Sequence, residues 1–105
     1  MNRIELLLSY LKDSPADPFL HFALAQEYAA LNQLEDALEK YDYLMEMHPN
    51  YVGTYYHAGQ TYERVQNLEK AMTCYQKGIE IAKEANDKHS ASELEGVKIL
   101  LEDRL

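Results

Sequence analysis

Apolar residues in this chain recur three and four positions apart, and no segment alternates apolar with polar residues as a half-buried strand would. The pattern predicts six helices and no sheet. The first covers about Asn2 to Lys12 and stops at Asp13-Ser14-Pro15-Ala16-Asp17-Pro18, where Asp17 is a natural cap for the next helix and Pro18 suits its first turn. In the second helix, which runs to about Leu31, His21, Leu24, Ala25 and Tyr28 fall at i, i+3, i+4 and i+7, so this face is buried. A third helix, from about Leu34 to Met47, ends before His48-Pro49-Asn50 because proline cannot continue it. The fourth spans Val52 to Val65 with Asn50 as its expected cap, and the fifth spans Leu68 to about Ala85 with Asn67 as its cap. The sixth is announced by Ser90 and Glu93 at capping-box spacing and carries Leu94, Val97, Leu100 and Leu101 on one face.

Two of these stretches, 18–51 and 52–85, are one unit of thirty-four residues written twice. At that spacing Gln26 falls on Gln60, Tyr28 on Tyr62, Leu34 on Leu68, Glu35 on Glu69, Ala37 on Ala71, Tyr41 on Tyr75 and Glu46 on Glu80. The phase extends outward. Pro15 lies thirty-four residues before Pro49, so residues 1–15 occupy the place of the second helix of a pair, and residues 90–105 follow where a third pair would begin. The expected organisation is a single domain over residues 1–105: a half unit, two full units and a terminal capping helix, stacked so that neighbouring units bury one another's faces.

The side chains at fixed places in each unit resemble the tetratricopeptide repeat, whose pattern is W-x2-L-G-x2-Y, then A-x3-F, then P. The first unit offers His21, Leu24, Ala25 and Tyr28, then Ala37 and Tyr41, then Pro49; the second offers Tyr55, Ala58, Gly59 and Tyr62, then Ala71 and Tyr75. The likeness is to a small bacterial-type protein of this family and covers nearly the whole chain. No Trp is present, His21 takes a large aromatic slot, and Lys83 stands where the second unit would have its Pro, which predicts a fifth helix one turn longer than the third. The resemblance implies an all-α, right-handed solenoid of antiparallel helix pairs. Ala25 and Gly59 are small where two helices of one pair approach closely, and Ala37 and Ala71 leave room for the tyrosines of the preceding helix.

The resemblance also implies a use: a non-enzymatic scaffold whose first helices line a concave groove that takes a peptide or helical segment of another protein. The stripe beside the buried one comprises Phe19, Phe22, Gln26, Ala29 and Ala30 in the first unit and Gly53, Tyr56, Gln60, Glu63 and Arg64 in the second. Phe22 and Tyr56 offer apolar area at low entropic cost, and the paired amides of Gln26 and Gln60 both donate and accept, as reading an extended backbone requires. Members of the family that hold acidic C-terminal tails of heat-shock chaperones clamp a carboxylate with Lys and Asn, whereas Phe22, Gln26 and Tyr56 stand at the matching places. A carboxylate clamp is therefore not expected.

Composition narrows the partner. Residues 1–50 carry nine acids and three bases, residues 51–105 nine acids and seven bases, so the halves contribute −6 and −2 to a net charge of −8. A phosphate backbone or an anionic membrane needs a stripe of Lys and Arg, so neither is expected as a partner. The first residues, with Glu5 and Ser9 breaking the apolar run, do not read as a signal peptide, no stretch is apolar for long enough to span a bilayer, and a single Cys permits no internal disulfide, so the expected home is the cytoplasm. The histidines His21, His48, His57 and His89 lack metal-ligand spacing, Cys74 lies on a packed helix, and no residue set nominates a reaction, so no metal, cofactor or catalysis is expected. Two other uses compete with the groove. Ile4, Leu7, Leu8 and Leu11 are read as an open outer face of the first helix on which a second copy packs into a homodimer, and Glu35, Asp36, Glu39, Asp42 and Glu46 on the third helix as an acidic face for a basic partner.

Overall fold

The computed structural model describes all 105 residues as six α-helices: α1 Arg3–Asp13, α2 Pro18–Ala30, α3 Leu34–Met47, α4 Gly53–Arg64, α5 Leu68–Glu84 and α6 Lys88–Glu102. Each helix packs on the next in the chain. Beyond these neighbours, α2 approaches α4 and α4 approaches α6 backbone to backbone, whereas the backbones of α1 and α3, and likewise of α3 and α5, stay apart, α3 and α5 meeting through side chains where Cys74 Sγ lies 3.9 Å from Met45 Sδ. The stack is therefore tighter on the side of α2, α4 and α6, and this asymmetry makes their shared face the concave one. The molecule is all-α and measures 42 × 29 × 19 Å.

Three turns have one chemistry. After α2, α4 and α5 the chain passes through Asn32, Gln66 and Asn86, each with φ near +60°. In each, two backbone bonds close the helix end: Gln33 and Asn32 donate to Tyr28 and Ala29, Asn67 and Gln66 to Tyr62 and Glu63, Asp87 and Asn86 to Ala82 and Lys83. This double closure satisfies the last free carbonyls of a helix. In two of the three, the residue that completes the turn also caps the following helix: Asn67 Oδ1 accepts from the Lys70 amide and Asp87 Oδ1 from the Ser90 amide. The turn after α5 replaces the proline stop, and α5 runs 17 residues against 14 for α3, as the missing proline predicts.

Two expected caps are corrected. The sixth helix starts at Lys88 and its cap is Asp87, not Ser90, because Ser90 lies inside the first turn and donates its hydroxyl to Asp87 Oδ2 at 2.7 Å. Asn50 does not cap α4: the boundary falls at Val52, two residues further on, and no side chain bonds the first amides there. Asp17 does cap α2, accepting from the Phe19 amide at 2.9 Å.

The main core runs through the pairs, with Ala25, Ala37, Tyr41, Leu44, Tyr55, Ala58, Ala71, Tyr75 and Leu94 almost fully buried. Small residues decide how close the helices come. A Cβ at Gly59 would come within 2.2 Å of the Tyr75 ring, and one at Gly78 within 2.5 Å of the Tyr55 Cβ, so α4 and α5 pass each other with a tyrosine from one helix seated on a glycine of the other, twice. The polar tips of two slot residues serve the chain before them. His21 Nε2 donates to the Pro15 carbonyl at 2.7 Å, and thirty-four residues on, Tyr55 Oη donates to the Pro49 carbonyl at 2.5 Å. These carbonyls follow the ends of α1 and α3, where intrahelical donors have run out.

The outer face assigned to α1 is also corrected. Leu7 is buried against Leu20, Ala23 and Leu24, with Ile4 and Leu11 half-buried around it, so the stripe at positions 4, 7 and 11 turns inward onto α2. An amphipathic helix covers its widest apolar stripe, and α2 is the cover. Of the four residues only Leu8 faces outward, at 40% exposure.

The glycine seats yield a direct test. Gly59→Leu and Gly78→Ala will each lower unfolding free energy by roughly 1–3 kcal/mol in urea melts through overpacking. Gly96→Ala, where a Cβ meets nothing within 4 Å, will raise it by about 0.5–1 kcal/mol. Equal melts for Gly59→Leu and the wild type would remove the close approach from the account.

Candidate functional site: the concave face

The concave face is built from α2 and α4, with α6 closing one side. Phe22 of α2 is half-buried and packs its ring against Tyr51 (centroids 5.5 Å apart), His57 (5.4 Å) and, edge-on, Tyr41 (6.2 Å). Tyr56 is half-buried with its ring 5.4 Å from His57, so the aromatic stripe is continuous from one pair to the next through His57. Burial lowers the pKa of His57, with Glu93 opposing, so the neutral ring is favoured among these aromatics. Phe19, 59% exposed, stands at the outer end of the stripe, and Gln26 is exposed.

The two glutamines hold equivalent places and have different surroundings. Gln60 is half-buried and its amide donates to Tyr75 Oη at 2.6 Å, while Tyr75 Oη donates to Glu63 Oε2 at 2.5 Å. Tyr75 is fully buried, and burial followed by the bond to Glu63 pushes its pKa well up, so it remains a donor at any physiological pH. Glu63 also accepts from Arg104, in the turn after α6, at 2.5 Å through Oε1. The core tyrosine thus holds two side chains of the concave stripe in fixed positions.

Arg64 is turned away from this network. Its guanidinium donates to the Ala29 carbonyl at 3.2 Å and to Asn32 Oδ1 at 2.9 Å, tying the end of α4 to the turn after α2. Ala29 is half-buried and Ala30 exposed, and a Cβ at Gly53 would meet the Phe22 ring at ordinary van der Waals distance. The structure therefore brings Phe22, Tyr56, Gln60 and Glu63 onto one surface with Gln26, and leaves Phe19 and Arg64 at its margins. Sequence reasoning missed Tyr51, Tyr75 and Arg104 as parts of this surface. For Tyr75 a signal existed: tyrosine in a slot where the repeat has phenylalanine adds a hydroxyl, and a buried hydroxyl needs a partner.

Solved structures similar to this chain share its fold. A tetratricopeptide-repeat domain protein from Salinibacter ruber is 42% identical over 85% of this chain and 90% of its own, with a TM-score of 0.81. The chain belongs to the tetratricopeptide-repeat family. The model of the tetratricopeptide repeat itself matches residues 52–84, which hold α4 and α5. Two more distant tetratricopeptide folds were solved with partners. PcrH, in complex with the chaperone binding region of PopD, is 17% identical over 96% of this chain and 77% of its own, with a TM-score of 0.88. The first repeat domain of Spaghetti, bound to the HSP90 peptide SRMEEVD, is 22% identical over 93% and 76%, with a TM-score of 0.74. No curated protein matches the chain.

Other chemical groups of this tetratricopeptide chain lie away from the concave face. Asp42, read from sequence as part of a solvated acidic face, accepts from Tyr62 Oη at 2.8 Å and so links α3 to α4. His21 stacks on Tyr43 at 4.1 Å, whereas His57 sits between Phe22 and Tyr56. No helix is long and apolar enough to cross a membrane. A cleft of about 480 Å³ opens between α3 and α5, where the two helices diverge, lined by Met45, Tyr55, Tyr62, Lys70, Thr73, Cys74 and Lys77. Cys74 is buried at its floor, and burial, reinforced by Asp42 and opposed by Lys70, pushes the thiol up to about 12. The nucleophilic thiolate is then almost absent at neutral pH. At pH 8 a thiol-specific disulfide reagent will leave Cys74 of the native chain unlabelled for hours and label it within minutes in strong urea; prompt labelling without urea would contradict this burial.

Proposed function

We propose that the chain is a non-enzymatic protein-interaction module that holds a peptide or helical segment of another protein across its concave face, on Phe22, Gln26, Tyr56 and Gln60. One observation carries this reading. Tyr56 lies on the open face of the stack while Gln60 and Glu63 beside it are fixed by a fully buried tyrosine, so polar groups are presented in set positions next to aromatic surface. Recognition surfaces gain affinity when their side chains are ordered before the partner arrives. Family membership supports the reading, since this fold is one of protein interaction. So do the two similar folds solved with partner segments, PcrH and the Spaghetti domain.

Tyr56 and Gln26 are the side chains to change, because Phe22 also packs between the pairs and its loss would disturb the fold. The double change Tyr56→Ala and Gln26→Ala will reduce affinity for a partner captured by the wild-type chain by roughly tenfold or more, with the helical circular dichroism and melting curve preserved. Unchanged affinity in a folded variant rules out the concave face as the binding surface.

A further inference from the structure

Glu63 is the one acidic side chain of the α4 stripe, and only 19% of its side chain is exposed. Its two oxygens have separate roles. Oε2 is fixed from inside by Tyr75, while Oε1 is met by the guanidinium of Arg104, which reaches it from 41 residues further along the chain. Arg104 stays 45% exposed, so this contact is held at the rim of the face and not inside the core. The stripe itself has no free cation: Arg64, next in sequence, spends its donors on Ala29 and Asn32. A second carboxylate, Glu93 of α6, lies close enough to act on His57 in the aromatic stripe.

We infer that Oε1 of Glu63 is a subsite for a guanidinium or ammonium group of the bound segment, and that Arg104 occupies it as an intramolecular stand-in until that segment arrives. This rests on the concave-face reading above and gives it a partner chemistry: a segment carrying Arg or Lys flanked by apolar residues, with the cation on Glu63 and an apolar neighbour on Tyr56. Three features of the molecule favour this occupant. A cation is already seated there with charge-assisted geometry at 2.5 Å. The carboxylate is held from behind by a buried donor, so it need not reorganise when the cation is exchanged. The surrounding molecule carries a net charge of −8, which favours approach of a basic segment over an acidic one.

Exchange at Glu63 has a measurable signature, because Arg104 and the incoming cation compete for one oxygen. The probe is the peptide acetyl-Gly-Leu-Arg-Leu-Gly-amide, titrated by NMR against the full chain, with a twin in which uncharged citrulline replaces the arginine. Arg104→Ala will bind the arginine probe about three- to fivefold more tightly than the wild type, the range set by the strength of a half-exposed ion pair. The largest shifts will fall on the amides of Glu63 and its neighbours. Adding Glu63→Gln to Arg104→Ala will cancel the gain, and the citrulline probe will not show it. If Arg104→Ala leaves the affinity unchanged while Tyr56→Ala weakens it, the cation subsite is wrong and the concave-face reading stands. If the probe binds without response to Arg104→Ala, Glu63→Gln or Tyr56→Ala, both fall.

Discussion

Everything in this molecule depends on how closely α4 and α5 cross. Two tyrosines, Tyr75 and Tyr55, sit where the opposing helix offers a glycine, Gly59 and Gly78, and no larger residue fits either seat without displacing a ring. Interiors packed at crystal-like density respond to a single added methylene, so the two seats fix the axial distance and the rotation of α5 on α4 together. At the places equivalent to Gly59 and Tyr75 in the first pair, thirty-four residues earlier, Ala25 and Tyr41 are both almost fully buried. Once the pairs are set, the stack follows. First helices touch and second helices diverge, which leaves a concave face on one side and the cleft between α3 and α5 on the other.

The tyrosines do more than fill space. Each carries a hydroxyl through the packed layer, and each hydroxyl leaves the core at a different surface. Tyr55 ends on the Pro49 carbonyl and so holds the junction between the pairs, Tyr62 ends on Asp42 and ties α4 to α3, and Tyr75 ends on Gln60 and Glu63 in the concave face. A net hydrogen bond contributes only about 1 kcal/mol, yet leaving such a hydroxyl buried and unpaired costs about 1–3 kcal/mol. Core packing and surface geometry are therefore coupled: a ring cannot change its seat without moving the group its hydroxyl holds.

Much of this was legible in the sequence because it is local or periodic. Helix type, the unit of thirty-four residues, the small residues at Ala25, Gly59, Ala37 and Ala71, and the extra turn of α5 all follow from spacing, proline placement and side-chain size. The caps at Ser90 and Asn50 were misplaced because several polar residues cluster at each junction, and the backbone turn, not the side chain alone, selects which one becomes the boundary. The direction of α1 was misread for a different reason: an apolar stripe shows that a helix is covered, and only the register with Leu20, Ala23 and Leu24 shows by what. At the concave face, Phe22, Tyr56 and the glutamines could be found by phase. Arg104 could not, since its contact with Glu63 spans 41 residues and lies outside the period.

In the proposed module a buried tyrosine presets the surface that meets the partner. Tyr75→Phe isolates it, because the ring stays in the Gly59 seat and only the hydroxyl that holds Gln60 and Glu63 is removed. The decisive measurement is calorimetric binding of a captured partner segment to this variant, run beside its urea melt. The expected result is a fold retained within about 1–3 kcal/mol and a partner affinity reduced by roughly tenfold. Full affinity in a folded Tyr75→Phe chain would contradict it.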